Sequence, residues 1–239
     1  EEHPEVGDAA MRGSVLHMIG VNLLRSGELD QGLDYSRRAL AVLDAVADPT
    51  PGIARVRQNA RTGLVGEALT RGRYHEVVAH YLAMIEDEER ISGTLDANAA
   101  VLFMNLCTVR TDLGQHAQAI ADCRRADALL ATRPEAAATR QAWVDNALGR
   151  ALSAAGHIDE AVAILAGALA TARERLGESH TMTGTVLANL AVAHSARGVR
   201  AQALDLIERY GRLVEAGALD PRRRGPSAAL RGRVLLEND

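Results

Sequence analysis

Apolar positions along the chain follow a helical spacing, and glycines interrupt this pattern at nearly constant distances. The interrupting glycines are Gly27, Gly72, Gly114, Gly156 and Gly198. Their successive spacings are 45, 42, 42 and 42 residues. An isoleucine or leucine lies eight residues before each glycine. The residue five positions after each glycine is glycine or alanine in four repeats and valine in one. The pattern therefore predicts a repeat of helix, tight turn and second helix, in which small residues let the two helices pack closely.

Five helix pairs follow from this repeat. They are predicted at 10–26 with 29–47, 52–71 with 74–92, 95–113 with 116–131, 134–155 with 158–175, and 180–197 with 200–215. The six prolines agree with these ranges, because each lies at a helix start, between repeats or near a chain end, where a missing N–H is tolerated. A last short helix is predicted at 227–237, after Pro226, where it would cover the open end of the stack.

Stacking of these pairs predicts an all-α fold. A single pair cannot bury its apolar face, so neighbouring pairs stack, and a constant rotation between them gives a right-handed superhelical α-solenoid with a concave side. We expect residues 1–239 to form one such domain of five antiparallel helix pairs with a C-terminal capping helix. The chain starts at Glu1 rather than at a methionine, so we also expect it to be a fragment of a longer protein.

Composition and charge narrow the function. Hydrophobic residues make up 47% of the chain but aromatic residues only 3%, so the core must close through small side chains. Every basic residue is arginine, which excludes chemistry that needs a lysine amine, such as Schiff-base formation or the grip of a P-loop on phosphate. The net charge of −4 gives no general attraction to nucleic acid or anionic lipid. No apolar run is long enough to span a membrane.

Candidate catalytic and metal-binding residues are sparse. His75 and His80 resemble a zinc-protease pair, but a spacing of five places them on different sides of a helix. No metal site, cofactor or set of base, nucleophile and oxyanion donors is predicted, so we do not expect an enzyme. The acidic run at 86–89 is expected to be a solvated face. Cys107 and Cys123 are expected to act as small buried hydrophobes. They could form at most one bridge, which is too few for a secreted disulfide scaffold of this size, so a reducing cytoplasm is the simpler location.

The fourth predicted repeat resembles the tetratricopeptide repeat. The residues that carry the resemblance are Leu148, Gly149, Leu152, Gly156, Ala161, Leu165 and Ala168. The period of 42 and the stretches at 175–180 and 189–191 are similar to the longer repeats of kinesin light chains and their bacterial relatives. The chain departs from the tetratricopeptide pattern at Asp145, where Trp is usual, and at Arg110 and His194, where Tyr is usual.

The resemblance implies that the first helix of each pair lines the concave groove. The residues at the repeat positions that would line the groove are mostly small or polar, and few of them are charged. We expect the groove to bind a protein or peptide segment through Asn105, Thr108, Trp143, Asn146, Arg150, Asn189, His17 and Asn59.

The asparagines are the main candidates for binding. Asn105 and Asn189 are 84 residues apart, which is two periods, and Asn146 lies one position from the intermediate phase. A carboxamide carries donors and an acceptor, so a row of them can pair with an extended peptide backbone of any sequence. Peptide-binding members of the resembled family use asparagines in this way. In the alternative interpretation, each asparagine bonds a neighbouring repeat and binds no ligand.

Arg150 and Trp143 each have two interpretations. Arg150 either holds a peptide carboxylate through two parallel hydrogen bonds or forms a salt bridge to Asp112 or Asp145. Trp143 is either an aromatic anchor for a ligand or a packed helix residue.

The preferred function is a cytoplasmic protein- or peptide-binding module that serves as the recognition or sensor part of a larger bacterial regulatory or signalling protein. The alternative is a structural scaffold or self-association module, a homo-oligomer with no groove ligand. Direct binding to nucleic acid or membranes is not expected.

Overall fold

The computed structural model describes residues 4–46, 49–132 and 134–217, and in these ranges the protein is all-α, as predicted. The ten helices there are α1 Pro4–Ser26, α2 Leu29–Leu43, α3 Pro51–Thr70, α4 Tyr74–Ser92, α5 Ala99–Asp112, α6 His116–Ala131, α7 Pro134–Ala154, α8 Ile158–Leu176, α9 Thr181–Ala196 and α10 Arg200–Glu215. In this part of the chain no helix is both long and apolar enough to cross a membrane. The helix predicted at 227–237 lies outside the described residues.

The chain divides into two compact units, unit 1 at residues 1–95 and unit 2 at residues 96–239. Unit 1 contains α1 to α4 and unit 2 contains α5 to α10. Within each unit the two helices on either side of a repeat glycine pack against each other. The single domain, the number of helix pairs in the whole chain and the right-handed superhelix stay predictions.

The predicted turns lie at the predicted glycines. All five repeat glycines have positive φ, for example 73° at Gly114 and 86° at Gly156, a conformation that residues with a side chain rarely adopt. The hydrogen bond from His157 N to Leu152 O, 2.9 Å long, closes the end of α7 around Gly156. The glycines therefore end the first helix and reverse the chain, which confirms the turn prediction.

Most helix ends agree with the sequence prediction within one residue, and three differ by more. Helix α1 begins at Pro4 rather than at residue 10, because proline suits a first helical position. Helix α2 ends at Leu43 rather than at residue 47. Helix α5 begins at Ala99 rather than at residue 95, since the Asp96 carboxylate accepts a 2.7 Å hydrogen bond from the backbone N–H of Asn98 and forms a turn before the helix.

Unit 1 is held together by small apolar clusters and by buried charges. One apolar cluster contains Leu33, Leu40, Ala60 and Leu64, and a second contains Leu43, Val46 and Ile53. Close approach of backbones adds to this packing: a Cβ atom on Gly32 would lie 2.8 Å from the backbone oxygen of Gly20, so α1 and α2 almost touch there.

A buried ion-pair network joins α2, α3 and α4 in unit 1. Arg57 and Arg61 on α3 both donate to the carboxylate of Asp87 on α4, at 2.9 and 2.7 Å. Arg57 also donates to the backbone oxygens of Leu43, the last residue of α2, and of Val46, which follows the helix. The expectation of a solvated acidic run is therefore wrong at Asp87, which is buried because it lies on the side of α4 that faces α3.

Unit 2 has a continuous apolar core that runs from α5 to α10. Leu152, Leu165, Met182 and Leu187 are fully buried in it. Between them lie small residues that bring the helices close, and a Cβ atom on Gly149 would lie only 2.5 Å from Cγ of Leu165. This packing agrees with the small side chains predicted at the helix interfaces.

A disulfide links Cys107 on α5 to Cys123 on α6, with a Cα–Cα distance of 5.4 Å. Both residues are fully buried and face the partner helix, as the sequence predicted. The two cysteines form the one bridge that the sequence allows and are not merely buried hydrophobes, because facing positions of a close-packed hairpin lie within the distance that a disulfide spans. The expectation of a reducing location rested on the number of cysteines, which allow at most one bridge, and it stays a prediction.

Candidate functional site

Six of the predicted binding residues lie on the first helices of the three helix pairs in unit 2. Helix α7 contacts both α5 and α9. We call the surface formed by these residues the amide face: Asn105 and Thr108 on α5, Trp143, Asn146 and Arg150 on α7, and Asn189 on α9. The other two predicted residues, His17 and Asn59, belong to unit 1.

The asparagines of the amide face are only partly used within the protein. The Asn189 side-chain amide donates to the Oδ1 atom of Asn146 at 2.8 Å and joins α9 to α7. The Asn146 N–H groups, the Asn189 oxygen and the whole Asn105 amide form no hydrogen bond with another described residue. All three side chains are half-buried. One bond between neighbouring repeats, as in the alternative interpretation, thus coexists with unused donors and acceptors.

Arg150 connects α7 to α5. One terminal nitrogen donates to the carboxylate of Asp112 at 2.9 Å, and the other donates to the backbone oxygen of Thr108 at 2.9 Å. Of the two salt-bridge partners considered from the sequence, the structure has Asp112. The Thr108 hydroxyl donates to the backbone oxygen of Met104 at 3.1 Å. Arg150 therefore fixes the position of α7 against α5 while its side chain stays half-buried.

Trp143 borders an apolar cleft between α5 and α7. The indole side chain is 40% exposed, so the residue is neither fully packed nor fully solvated. The cleft has a volume of about 150 Å³ and is lined by Ala100, Val101, Met104, Leu130, Arg140, Trp143 and Val144. At its edge Arg140 donates to the backbone oxygen of Ala97 at 3.2 Å. A single aliphatic or aromatic side chain fits this cleft.

The sequence prediction missed most of the cleft. Arg140 and Val144 flank Trp143 on α7, and Met104 lies next to Asn105 on α5. A signal was present, because Ala100 and Val101 lie one turn before Asn105 and leave space beside the indole.

A half-buried polar cluster lies beside the amide face on the α6 side of α7. The Gln141 side-chain amide donates to Asp127 at 2.6 Å and to Asp145 at 2.7 Å. Burial raises the pKa of Asp145 and nearby Asp127 raises it further, whereas the hydrogen bond from Gln141 opposes the shift. Gln141 thus joins α7 to Asp127 on α6, and Asp145 helps to hold its side chain in place.

The two predicted residues in unit 1 have different environments. His17 on α1 is half-buried, burial lowers its pKa, and its Nδ1 atom forms no hydrogen bond with a described residue. Asn59 on α3 is exposed. Two to three turns further along the same helix, Gly66 and Thr70 line an open cleft of about 300 Å³ together with residues of α1 and α2, and Asn59 is not part of its lining.

Comparison with known proteins connects this architecture to a family. Residues 140–215, which cover most of α7 and all of α8 to α10, match the model of the tetratricopeptide repeat. No curated protein sequence is significantly similar to the chain.

Several solved structures share the fold at low sequence identity. BtubC (BKLC) from P. vanneervenii has a TM-score of 0.71 at 16% identity, covering 87% of this chain and 84% of its own. The structure of the nearly identical TPR-like repeats of a putative kinesin light chain from Podosopora anserina has a TM-score of 0.63 at 18% identity. The match covers 90% of this chain and 99% of that chain. YrrB, a TPR protein with an unusual peptide-binding site, has a TM-score of 0.53 at 19% identity, covering 83% of this chain and 84% of its own.

The helix pairs, their 42-residue period and the close backbone packing in both units agree with these similarities. Residues 140–215 thus match the tetratricopeptide repeat, and the fold of the chain is similar to that of kinesin light chain repeats.

Proposed function

We propose that the protein binds an extended segment of a partner protein on the amide face, and that it is the recognition part of a larger bacterial regulatory or signalling protein. Tetratricopeptide-repeat proteins are protein-interaction modules, and one protein of similar fold, YrrB, has a peptide-binding site. The observation that carries the proposal is the set of unused amide groups on Asn105, Asn146 and Asn189, which lie on three first helices of one unit.

The spacing of these helices suits an extended peptide. Packed helices have axes about 8–10 Å apart, and an extended chain rises about 3.3 Å per residue. Amides on α5, α7 and α9 would therefore meet the ligand backbone at about every third residue. Each amide can donate to a carbonyl and accept from an N–H, so this pairing requires no particular ligand sequence.

The cleft beside Trp143 gives the proposed site its side-chain preference. An apolar side chain of the ligand would enter the cleft and cover the exposed part of the indole, as aromatic anchors do in other interfaces. Arg150 would have a different role from the one first considered. Its charge is already balanced by Asp112, so we propose that it orients the face and does not select acidic ligands.

Fluorescence of the single tryptophan provides the test. A peptide library is screened for members that change the emission of Trp143, and dissociation constants are measured for the best binders. We expect Asn105→Ala and Asn189→Ala each to weaken binding by about 5- to 30-fold, because each removes hydrogen bonds to the ligand backbone. The matched control is Gln118→Ala, which removes an exposed carboxamide from α6 and should leave affinity unchanged.

Two results would count against the proposal. If peptides bind but neither asparagine variant changes their affinity, the amide face is not the site. If no peptide binds and light scattering shows oligomers that grow with concentration, the protein is a scaffold without a groove ligand.

The proposal extends to the organisation and location of the protein. We propose that residues 1–239 act as a single solenoid domain without a cofactor, and that the module works in the cytoplasm. The disulfide makes the location testable, since a reducing compartment opens such bridges. Alkylation of Cys107 and Cys123 is expected if the protein is cytoplasmic, when cells are lysed in denaturant with the alkylating reagent so that the buried residues are accessible. Failure of both cysteines to react under these conditions would contradict that location.

A further inference from the structure

Helix α1 has an apolar side that no described residue of the protein covers. Met11 is 67% exposed, Val15 is 44% exposed and Met18 is 59% exposed. The opposite side of the helix is packed, since Gly13 and Gly20 are buried against α2. Unit 1 thus buries one side of α1 and presents large apolar side chains on the other.

These apolar residues belong to a longer row with a regular spacing. We call this row the α1 seam: Asp8, Met11, Val15, Met18, Asn22 and Arg25, all of which are exposed. The intervals are 3, 4, 3, 4 and 3 residues. Alternating intervals of three and four keep side chains on one side of a helix, and this spacing lets two helices pair as a coiled coil.

The two ends of the seam carry opposite charges. Asp8 begins the row and Arg25 ends it, and neither forms an ion pair with a described residue. If two seams pair in antiparallel order about a two-fold axis between Val15 and Met18, Asp8 of each copy lies opposite Arg25 of the second copy. Val15 then lies opposite Met18 of the second copy. In parallel order, like charges would face each other at both ends.

We propose that two copies of the protein pair in antiparallel order through the α1 seam. Two-fold symmetry uses the same surface twice, so both charged layers are complementary and both central layers are apolar. The proposal is independent of the function proposed for the amide face, which lies on other helices. The paired segment of 18 residues is about 26 Å long, so the surface that it buries is smaller than that of a standard stable interface. We therefore expect a dissociation constant in the micromolar range.

Analytical ultracentrifugation of the full chain over a wide concentration range tests this pairing. The unmodified protein should change from monomer to dimer as its concentration rises. Val15→Asp places two carboxylates in the apolar centre and should abolish the dimer. Arg25→Asp places a carboxylate opposite Asp8 at both ends and should raise the dissociation constant about tenfold or more.

The double variant Asp8→Arg with Arg25→Asp tests the antiparallel order itself. It exchanges the two charges but keeps opposite signs facing each other, so the dissociation constant should return to within about threefold of the original. The matched control is Arg12→Asp, which makes the same change of charge on the exposed surface of α1 outside the seam and should have little effect. Circular dichroism of each variant verifies that the helices remain folded.

A protein that stays monomeric at every concentration would overturn the proposal, and so would a dimer that survives Val15→Asp. Failure of the double variant to recover dimerisation, with its helices intact, would overturn the antiparallel order. Peptide binding measured through Trp143 should be the same in Val15→Asp and in the unmodified protein, so the result is separate from the test of the amide face.

Discussion

Unit 1 and unit 2 are built from the same kind of helix pair, yet different interactions hold the helices of each unit together. Among its described residues, unit 2 has an apolar cluster that extends from α5 to α10 and contains a disulfide. Unit 1 has smaller apolar clusters and the buried network of Arg57, Arg61 and Asp87. The repeat pattern therefore determines where the helices turn, but it leaves open whether apolar or charged side chains join one pair to the next.

This difference has an energetic meaning. A buried ion pair adds little net stability, because both charges lose their hydration, but removing one partner leaves an uncompensated buried charge. Arg57 also donates to the backbone oxygens of Leu43 and Val46, at and just beyond the end of α2, where helix carbonyls lack intrahelical partners. We therefore expect unit 1 to be the less stable unit and its structure to depend strongly on a few side chains.

The largest effect should follow loss of the network. We expect Arg57→Met to lower the free energy of unfolding by about 3–5 kcal/mol, because Asp87 and two backbone oxygens lose a buried donor. Hydrogen exchange should show the loss of protection in α2 to α4. The matched control is Arg55→Met, an exposed arginine of the same helix, for which a change below about 0.5 kcal/mol is expected. Equal changes in the free energy of unfolding for the two variants would show that the buried network does not stabilise unit 1.

The second effect concerns the disulfide of unit 2. Opening the bridge between Cys107 and Cys123, which are 16 residues apart, should lower stability by about 3 kcal/mol, because the unfolded chain gains freedom. Urea denaturation with and without reductant measures the difference, and Cys107→Ala with Cys123→Ala shows whether the covalent link itself is responsible. Protection in α3 and α4 should not change on reduction. If it falls as much as in α5 and α6, the two units are not independent in stability.

The smallest effects come from glycines within helices. Gly32→Ala should cost about 1–3 kcal/mol, because the new Cβ atom meets the backbone oxygen of Gly20, which cannot move aside. Gly149→Ala should cost less, since the atoms nearest to its Cβ atom belong to the side chain of Leu165 and not to backbone. Gly167→Ala should instead stabilise the protein by about 0.5–1 kcal/mol, because no atom is near it and alanine favours a helix. Thermal unfolding of the three variants checks this order, and a destabilising Gly167→Ala would contradict it.

Much of the fold could be predicted from the sequence because helix ends are local. Glycines at positive φ and prolines at helix starts placed most helix ends within one residue. Asp87 and the two cysteines show the limit of such prediction. Asp87 sits in an acidic run that is typical of solvated surface, and only the arginines of α3 explain why it is buried.

The candidate site shows the same division between local and non-local information. The repeat phase predicted that the amide-face residues lie on the first helix of each pair, and in the structure they lie on α5, α7 and α9. The partners of these residues depend on how neighbouring helices are offset along their axes. Arg150 therefore bonds Asp112 rather than Asp145, and Asn189 bonds Asn146, which lies one position off the repeat phase.

The bridge between α5 and α6 also affects how the chain responds to mechanical force. If the protein is pulled from both ends, the loop between Cys107 and Cys123 stays closed after its helices have melted. The stretched polypeptide is then shorter by about 50 Å than the reduced one, since each extended residue would add about 3.4 Å. The disulfide in one hairpin thus limits the extended length of the molecule under tension, and reducing conditions would increase that length.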